Sequence, residues 1–273
     1  MFGFFVEPRF PMNIKKLLFT ILYFTAHLFS GCYTTSFLPQ THNVPLFTGE
    51  KQIRITPTHS IRAAELQLAY APINHLGIIA NIQATPRYYM PEIGVGAFYS
   101  TKNILVTEVY LGFGTGKLKD SLSYYDRLLS SSDKFLGIDI TTYKFFLQPN
   151  LGVRFSEKID LSFSAKCTYW YFPKYHYHYE RWEYFGTSSP RLNYTEHVDE
   201  KDGYGITIEP AITFRIGGEH TKFMIQTGFS ASHETGDLVL SPYRDNYAFV
   251  RLGVSVNFSL FKKKEEILPN QNH

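Results

Sequence analysis

Ile159-Asp160-Leu161-Ser162-Phe163-Ser164-Ala165-Lys166-Cys167-Thr168-Tyr169-Trp170-Tyr171 alternates without a break. Its odd positions are apolar or aromatic, while the even ones carry Asp160, Ser162, Ser164, Lys166, Thr168 and Trp170. Successive strand residues point to opposite faces, so this stretch is a strand with one apolar and one largely polar side. Tyr204 to Ile216 repeats the pattern, with Ile206, Ile208, Pro210, Ile212, Phe214 and Ile216 against Thr207, Glu209, Ala211, Thr213 and Arg215. So does Tyr247 to Leu260, where Ala248, Val250, Leu252, Val254, Val256, Phe258 and Leu260 oppose Arg251, Gly253, Ser255, Asn257 and Ser259. Each run exceeds the ~5 to 6 residues of an ordinary strand and matches the ~9 to 11 tilted residues that cross a bilayer.

Ten such segments are expected, roughly at 51–57, 61–71, 75–84, 91–100, 103–115, 137–154, 157–171, 203–217, 220–232 and 246–260. An eight-stranded barrel is the alternative, because the first segments are short. The connections alternate in length. Pro72 to His75, Thr101-Lys102, Ser156-Glu157 and Gly217 to Glu219 are tight, whereas Thr85 to Met90, Gly116 to Leu136, Phe172 to Asp202 and His233 to Asp245 are long. Short periplasmic turns and long external loops mark an antiparallel up-and-down outer-membrane barrel, and an even strand count returns both termini to the periplasm.

The polar faces decide which side is inside. They collect a charge network of Arg54, Glu65, Glu108, Lys144, Asp160, Lys166, Glu209, Arg215 and Arg251, with Glu92 and Arg154, while the opposite faces carry almost no charge. A charge-free belt around several long strands is costly in water and required in a bilayer, where Lys or Arg at the midplane costs roughly 2 to 4 kcal/mol. The charges therefore line the lumen, where facing acids and bases imply a salt-bridged interior. A soluble, lipid-anchored lipocalin-like barrel would reverse the faces.

Composition agrees with strands. Aromatics reach 17%, with 24 Phe and 20 Tyr in 273 residues. A net charge of +3 gives no reason to expect nucleic acid. The Lys15-Lys16 pair opens a signal peptide whose apolar region, Leu17 to Phe29, is too short for a membrane helix. The expected start is Met12, residues 1–31 are the signal, 32–50 a lipidated extended tether with Pro39 and Pro45, 51–261 the barrel, and 262–273 a polar periplasmic tail. Leu28-Phe29-Ser30-Gly31-Cys32 resembles a bacterial lipobox, which implies a lipid such as palmitate on Cys32 and leaves Cys167 without an intramolecular partner.

The lipobox, Asn43-Val44-Pro45-Leu46-Phe47 followed by Gly49-Glu50, and the hairpin from Leu66 to Asn81 resemble the outer-membrane β-barrel lipoproteins common in Bacteroidetes, most without an assigned activity. The resemblance covers the N-terminal third and brings no catalytic motif. It implies lipid and envelope or extracellular protein or glycan as partners, with no cofactor. The lipoproteins it resembles tend to carry an acidic run after the cysteine when surface-exposed, and Tyr33 to Phe37 lacks one, so the resemblance implies a lipid in the periplasm-facing leaflet.

Tyr175, His176, Tyr177, His178, Tyr179 and Trp182 form the most unusual loop, rigid contact area suited to a partner. His176 and His178 have the spacing of two metal ligands on a strand, but no third ligand stands at a fixed offset, so no metal is expected. Ten-stranded omptin proteases activate water with carboxylates and a His-Asp pair, and His176, His178, His197, His233, Asp199, Asp202 and Asp237 are of those types. No omptin motif accompanies them, and the His-Ser pair of a lipid-modifying enzyme is no better served: Ser232 and His233, as strand neighbours, point apart. A non-enzymatic envelope protein with contact loops is therefore the leading reading, with a narrow small-solute channel and an outer-membrane enzyme as alternatives.

Overall fold

The computed structural model describes residues 39–259 apart from 61–62, 87, 103, 121–130, 174, 184–190, 201–202 and 236–246. The signal segment, Cys32 and the tail at 262–273 lie outside the described residues, as do Asp202 and Asp237. The strands are β1 (Gln52–His59), β2 (Ala64–Ile73), β3 (Leu76–Ala84), β4 (Tyr88–Thr101), β5 (Leu105–Asp120), β6 (Ser131–Arg154), β7 (Ile159–Phe172), β8 (Tyr175–Glu183), β9 (Arg191–Glu200), β10 (Gly203–Gly217), β11 (Thr221–Thr235) and β12 (Tyr247–Ser259).

β1 to β7 and β10 to β12 close into a ten-stranded antiparallel barrel: neighbours pair in order, β7 pairs β10, and β12 returns to β1. Alternation fixes the register because a one-residue slip would turn every charge toward lipid. Opposite residues therefore match in kind, as in Glu209 with Lys166 and Arg215 with Asp160 across β10 and β7. The two-residue turn after Ile73 closes with His75 at a positive φ of 67°, and Lys102 at 50° serves the turn after β4.

The outer surface is apolar. Ile93, Leu111, Ile208 and Val250 are each more than half exposed, whereas Lys144, Lys166, Arg215 and Lys222 are at most 2% exposed. That arrangement, charged within and apolar without, is an outer-membrane barrel and the reverse of a lipocalin. At the long-loop rim Phe113, Tyr143, Tyr171 and Tyr204 stack in sequence across β5, β6, β7 and β10, with ring centroids 6.2, 6.4 and 5.5 Å apart. This is one arc of an interfacial aromatic girdle. Cys167, exposed, lies on the apolar outer face.

Beyond the girdle the connection expected as a loop over Phe172 to Asp202 contains β8 and β9. β8 pairs the first half of the long β6, and β9 pairs β8. Between the Tyr143–Tyr171 and Ile140–Tyr175 pairs, the β7–β8 side is one residue longer than β6. The reason for strand rather than loop is that β6 outruns the barrel and leaves an edge, which β8 covers. Tyr175, His176, Tyr177, His178, Tyr179 and Trp182 are thus strand residues of a ribbon that continues past the girdle.

The principal correction concerns 32–50. Its described part, 39–50, forms no regular element, with Leu46 at a positive φ of 52°, and residues 39–47 are buried inside the barrel and do not tether it from outside. A ten-stranded lumen is wider than its own side chains fill, and a second length of chain takes up the space.

Candidate functional site: a lumen threaded by residues 39 to 48

From Thr48 back to Pro39 the segment climbs the lumen from the short-turn end to the long-loop end. Each level is set by the wall residues it meets. Thr48 lies by Gln52 and Arg154, at the start of β1 and the end of β6. Phe47 sits in an apolar cluster with Ala69, Ala71, Ile79, Phe98, Tyr110 and Phe146, and its amide donates to Glu108 at 3.0 Å. Leu46 and Val44 pack with Val106. Gly152 exists for that contact: a Cβ there would stand 2.3 Å from Leu46 Cδ2.

Higher up the contacts become polar. The Val44 carbonyl accepts from Arg54 at 3.3 Å and also from Arg215. Asn43 donates to the Leu68 carbonyl at 2.8 Å and to Asn81 at 2.9 Å, and its own carbonyl accepts from Gln148 at 2.8 Å. Gln226 bonds both the amide of His42 at 2.8 Å and its carbonyl at 3.1 Å, while the His42 ring meets Ser164 at 2.7 Å. The Thr41 amide donates to Glu65 at 2.8 Å, and its carbonyl accepts from Gln67 at 2.9 Å. Gln40 donates to the Met90 carbonyl at 2.8 Å and accepts from Lys144. The Pro39 carbonyl accepts from Gln83 at 3.2 Å and from Arg251. A chain in no regular element carries unpaired amides and carbonyls, and here the wall's Gln, Asn, Arg and Glu side chains take the place of a neighbouring strand.

The charges close around this segment. Glu92 receives Lys144 at 2.6 Å and Lys166 at 2.7 Å, and the two ammoniums also lie over aromatic rings, Lys144 over Trp170 at 5.2 Å and Lys166 over Phe146 at 4.4 Å. Asp160 receives Arg215 at 3.2 Å and Lys222 at 2.6 Å. Glu65 takes Arg251 at 3.2 Å, Glu108 takes Asn150 at 3.0 Å, and Glu209 takes Ser230 at 3.2 Å. Arg54 joins Asn257 across the β1–β12 seam. The nine charges named from sequence therefore face the lumen, but in separate clusters arranged around a guest chain and not as one continuous plug.

Sequence reasoning missed Lys222, Gln226, Gln83 and Gln148, and above all the guest. The signal was present: Gln40-Thr41-His42-Asn43 offers hydrogen-bonding groups without formal charge between two prolines that rule out a helix. On the ribbon, register sets His178 opposite His197 and His176 opposite Asp199. Among the described residues no cluster of three metal-ligating side chains occurs.

No family model matches the chain, and no curated protein matches it. Solved structures similar to it include a KdgM porin, 10% identical with a TM-score of 0.34, covering 76% of this chain and 99% of that one. The same figures apply to a KdgM porin in complex with disordered oligogalacturonate. A CymD monoaromatic hydrocarbon channel is 9% identical with a TM-score of 0.26, covering 79% of this chain and 90% of that one.

Proposed function

We propose that this chain is an outer-membrane lipoprotein barrel sealed by its own N-terminal segment, whose work is done outside the membrane by the β6–β8–β9 ribbon rather than through the lumen. The observation that carries this reading is the filling of the lumen by residues 39–47, packed at Leu46 and Phe47 and hydrogen-bonded from Val44 to Pro39. A conducting path needs a continuous column of water, and here backbone, Phe47 and the paired charges occupy its cross-section. The ribbon, rich in Tyr and Trp beyond the girdle, offers rigid contact area for an envelope or extracellular protein or glycan.

A second reading is a narrow channel that conducts once the segment withdraws. It is favoured by one feature: a wall of charged and amide side chains holds the guest mainly through groups that water can replace. Planar-bilayer recording separates the two. The full chain should be electrically silent, and a variant lacking 39–47 should show steady conductance steps. Leu46→Ala with Phe47→Ala keeps the segment's length and should open only briefly. Steady conductance of the full chain would overturn the sealed-barrel reading in favour of the channel.

A further inference from the structure

The direction of the threaded segment fixes where the chain before it must go. Pro39 is held by Gln83, one residue from the long-loop end of β3, and by Arg251, which also reaches Ser60 beyond the end of β1. Its neighbour Gln40 bonds Met90, near the long-loop start of β4. At the other end, Lys51 donates to the Ala71 carbonyl beside the short turn of β2, and β1 begins there. Residues 39–48 thus run from the short-turn end of the lumen, at Gln52 and Arg154, to its long-loop end, at Gln83 and Met90.

Three exits exist for the chain preceding Pro39, and two are closed. A route back down the lumen would pass Glu92 with its two lysines, Asp160 with Arg215 and Lys222, and the Phe47 cluster, all of them packed against the guest already present. A route through the wall would break a hydrogen-bonded ladder, since all ten barrel strands pair on both sides. The long-loop mouth remains. We infer that the chain N-terminal to Pro39 leaves the barrel at the long-loop mouth, so that Cys32 is displayed on that side and its acyl chains enter the leaflet facing the long loops.

This reverses the expected placement of Cys32 in the periplasm-facing leaflet. Six residues lie between Cys32 and Pro39, and the seven steps reach about 25 Å when extended. That is enough to cross the rim and meet the bilayer surface, and the absence of an acidic run after Cys32 then says nothing about its side. Threading belongs to the barrel alone, whereas the lipid and the outward orientation rest on the reading proposed above.

Epitope insertion in the full chain tests it, with one tag between Thr35 and Ser36, a second after Thr187 between β8 and β9, and a third after Glu157 in a short turn. Antibody labelling of intact cells should reach the first two tags and not the third, which should appear only after permeabilisation. If the first tag behaves like the third, threading is refuted, whichever side faces out. If the first and second tags are both hidden while the third is exposed, threading stands and the orientation fails. Cys32→Ser should leave the first tag's labelling pattern unchanged in membrane-inserted protein, because lumen contacts and not the lipid hold the segment. A switch to the short-turn pattern would overturn that.

Discussion

The two ends of the threaded segment are held by different physics. At the short-turn end Val44, Leu46 and Phe47 are packed among Ile79, Phe98, Tyr110, Val106 and Phe146, a small hydrophobic core enclosed by the barrel. At the long-loop end Pro39 to Asn43 are held mainly by Gln, Asn, Arg and Glu side chains, with the His42 ring 6.3 Å from that of Phe249. Packing is lost outright when a side chain is removed, whereas water can substitute for hydrogen bonds. The short-turn end is therefore the anchor, and the long-loop end is the part able to loosen without unfolding the barrel.

Variants can sharpen that contrast, beginning beneath the polar end. Glu92→Gln leaves Lys144 and Lys166 as buried ammoniums without their shared carboxylate, a loss on the order of 3 to 5 kcal/mol. Urea unfolding followed by heat-modifiable gel mobility should show it as a large fall in midpoint. Phe47→Ala attacks the anchor, and emptying this enclosed site should cost about 3 kcal/mol by the same assay. Gln226→Leu removes both bonds to His42 at the polar end and should cost about 1 to 2 kcal/mol, because water admitted from the mouth replaces them. If Gln226→Leu proves worse than Phe47→Ala, the assignment of anchor and loose end is reversed.

Deleting 175–200 should change barrel stability least. β7 and β10 pair directly along their whole length, from Ile159 with Ile216 to Phe172 with Gly203, so no barrel ladder is lost. Heat-modifiability should persist while capture of any ribbon partner from outer membranes disappears. Failure of this variant to insert would mean that the ribbon supports the barrel and is not an independent contact surface.

Much of the fold was legible because the bilayer and the lumen impose opposite demands on adjacent residues. Asp160 and Leu161, or Arg251 and Leu252, cannot exchange faces, so alternation separates lumen from lipid positions, while the choice of ten strands over eight drew on the connections as well. The ribbon was half legible: Tyr175, Tyr177 and Tyr179 alternate with His176 and His178 in the sequence, but pairing with the overhang of β6 depends on that strand's length, which alternation did not reveal. Residues 39–47 were illegible for a different reason. A guest chain in a lumen has no period, because its partners surround it, and Gln40 to Asn43 look the same in sequence whether they are solvated in a tether or bonded by a barrel wall.

Proximity of position 43 to the wall tests the threading most directly. Asn43→Cys and Asn81→Cys, introduced together in a Cys167→Ser background, replace side chains that hydrogen-bond at 2.9 Å. In folded protein a short bis-alkylating reagent should bridge positions 43 and 81, giving a cross-linked peptide by mass spectrometry that vanishes when the barrel is unfolded first. Single alkylation at both positions without a bridge, with position 43 reacting as fast in the folded protein as in the unfolded one, would place the segment outside the lumen and contradict the account.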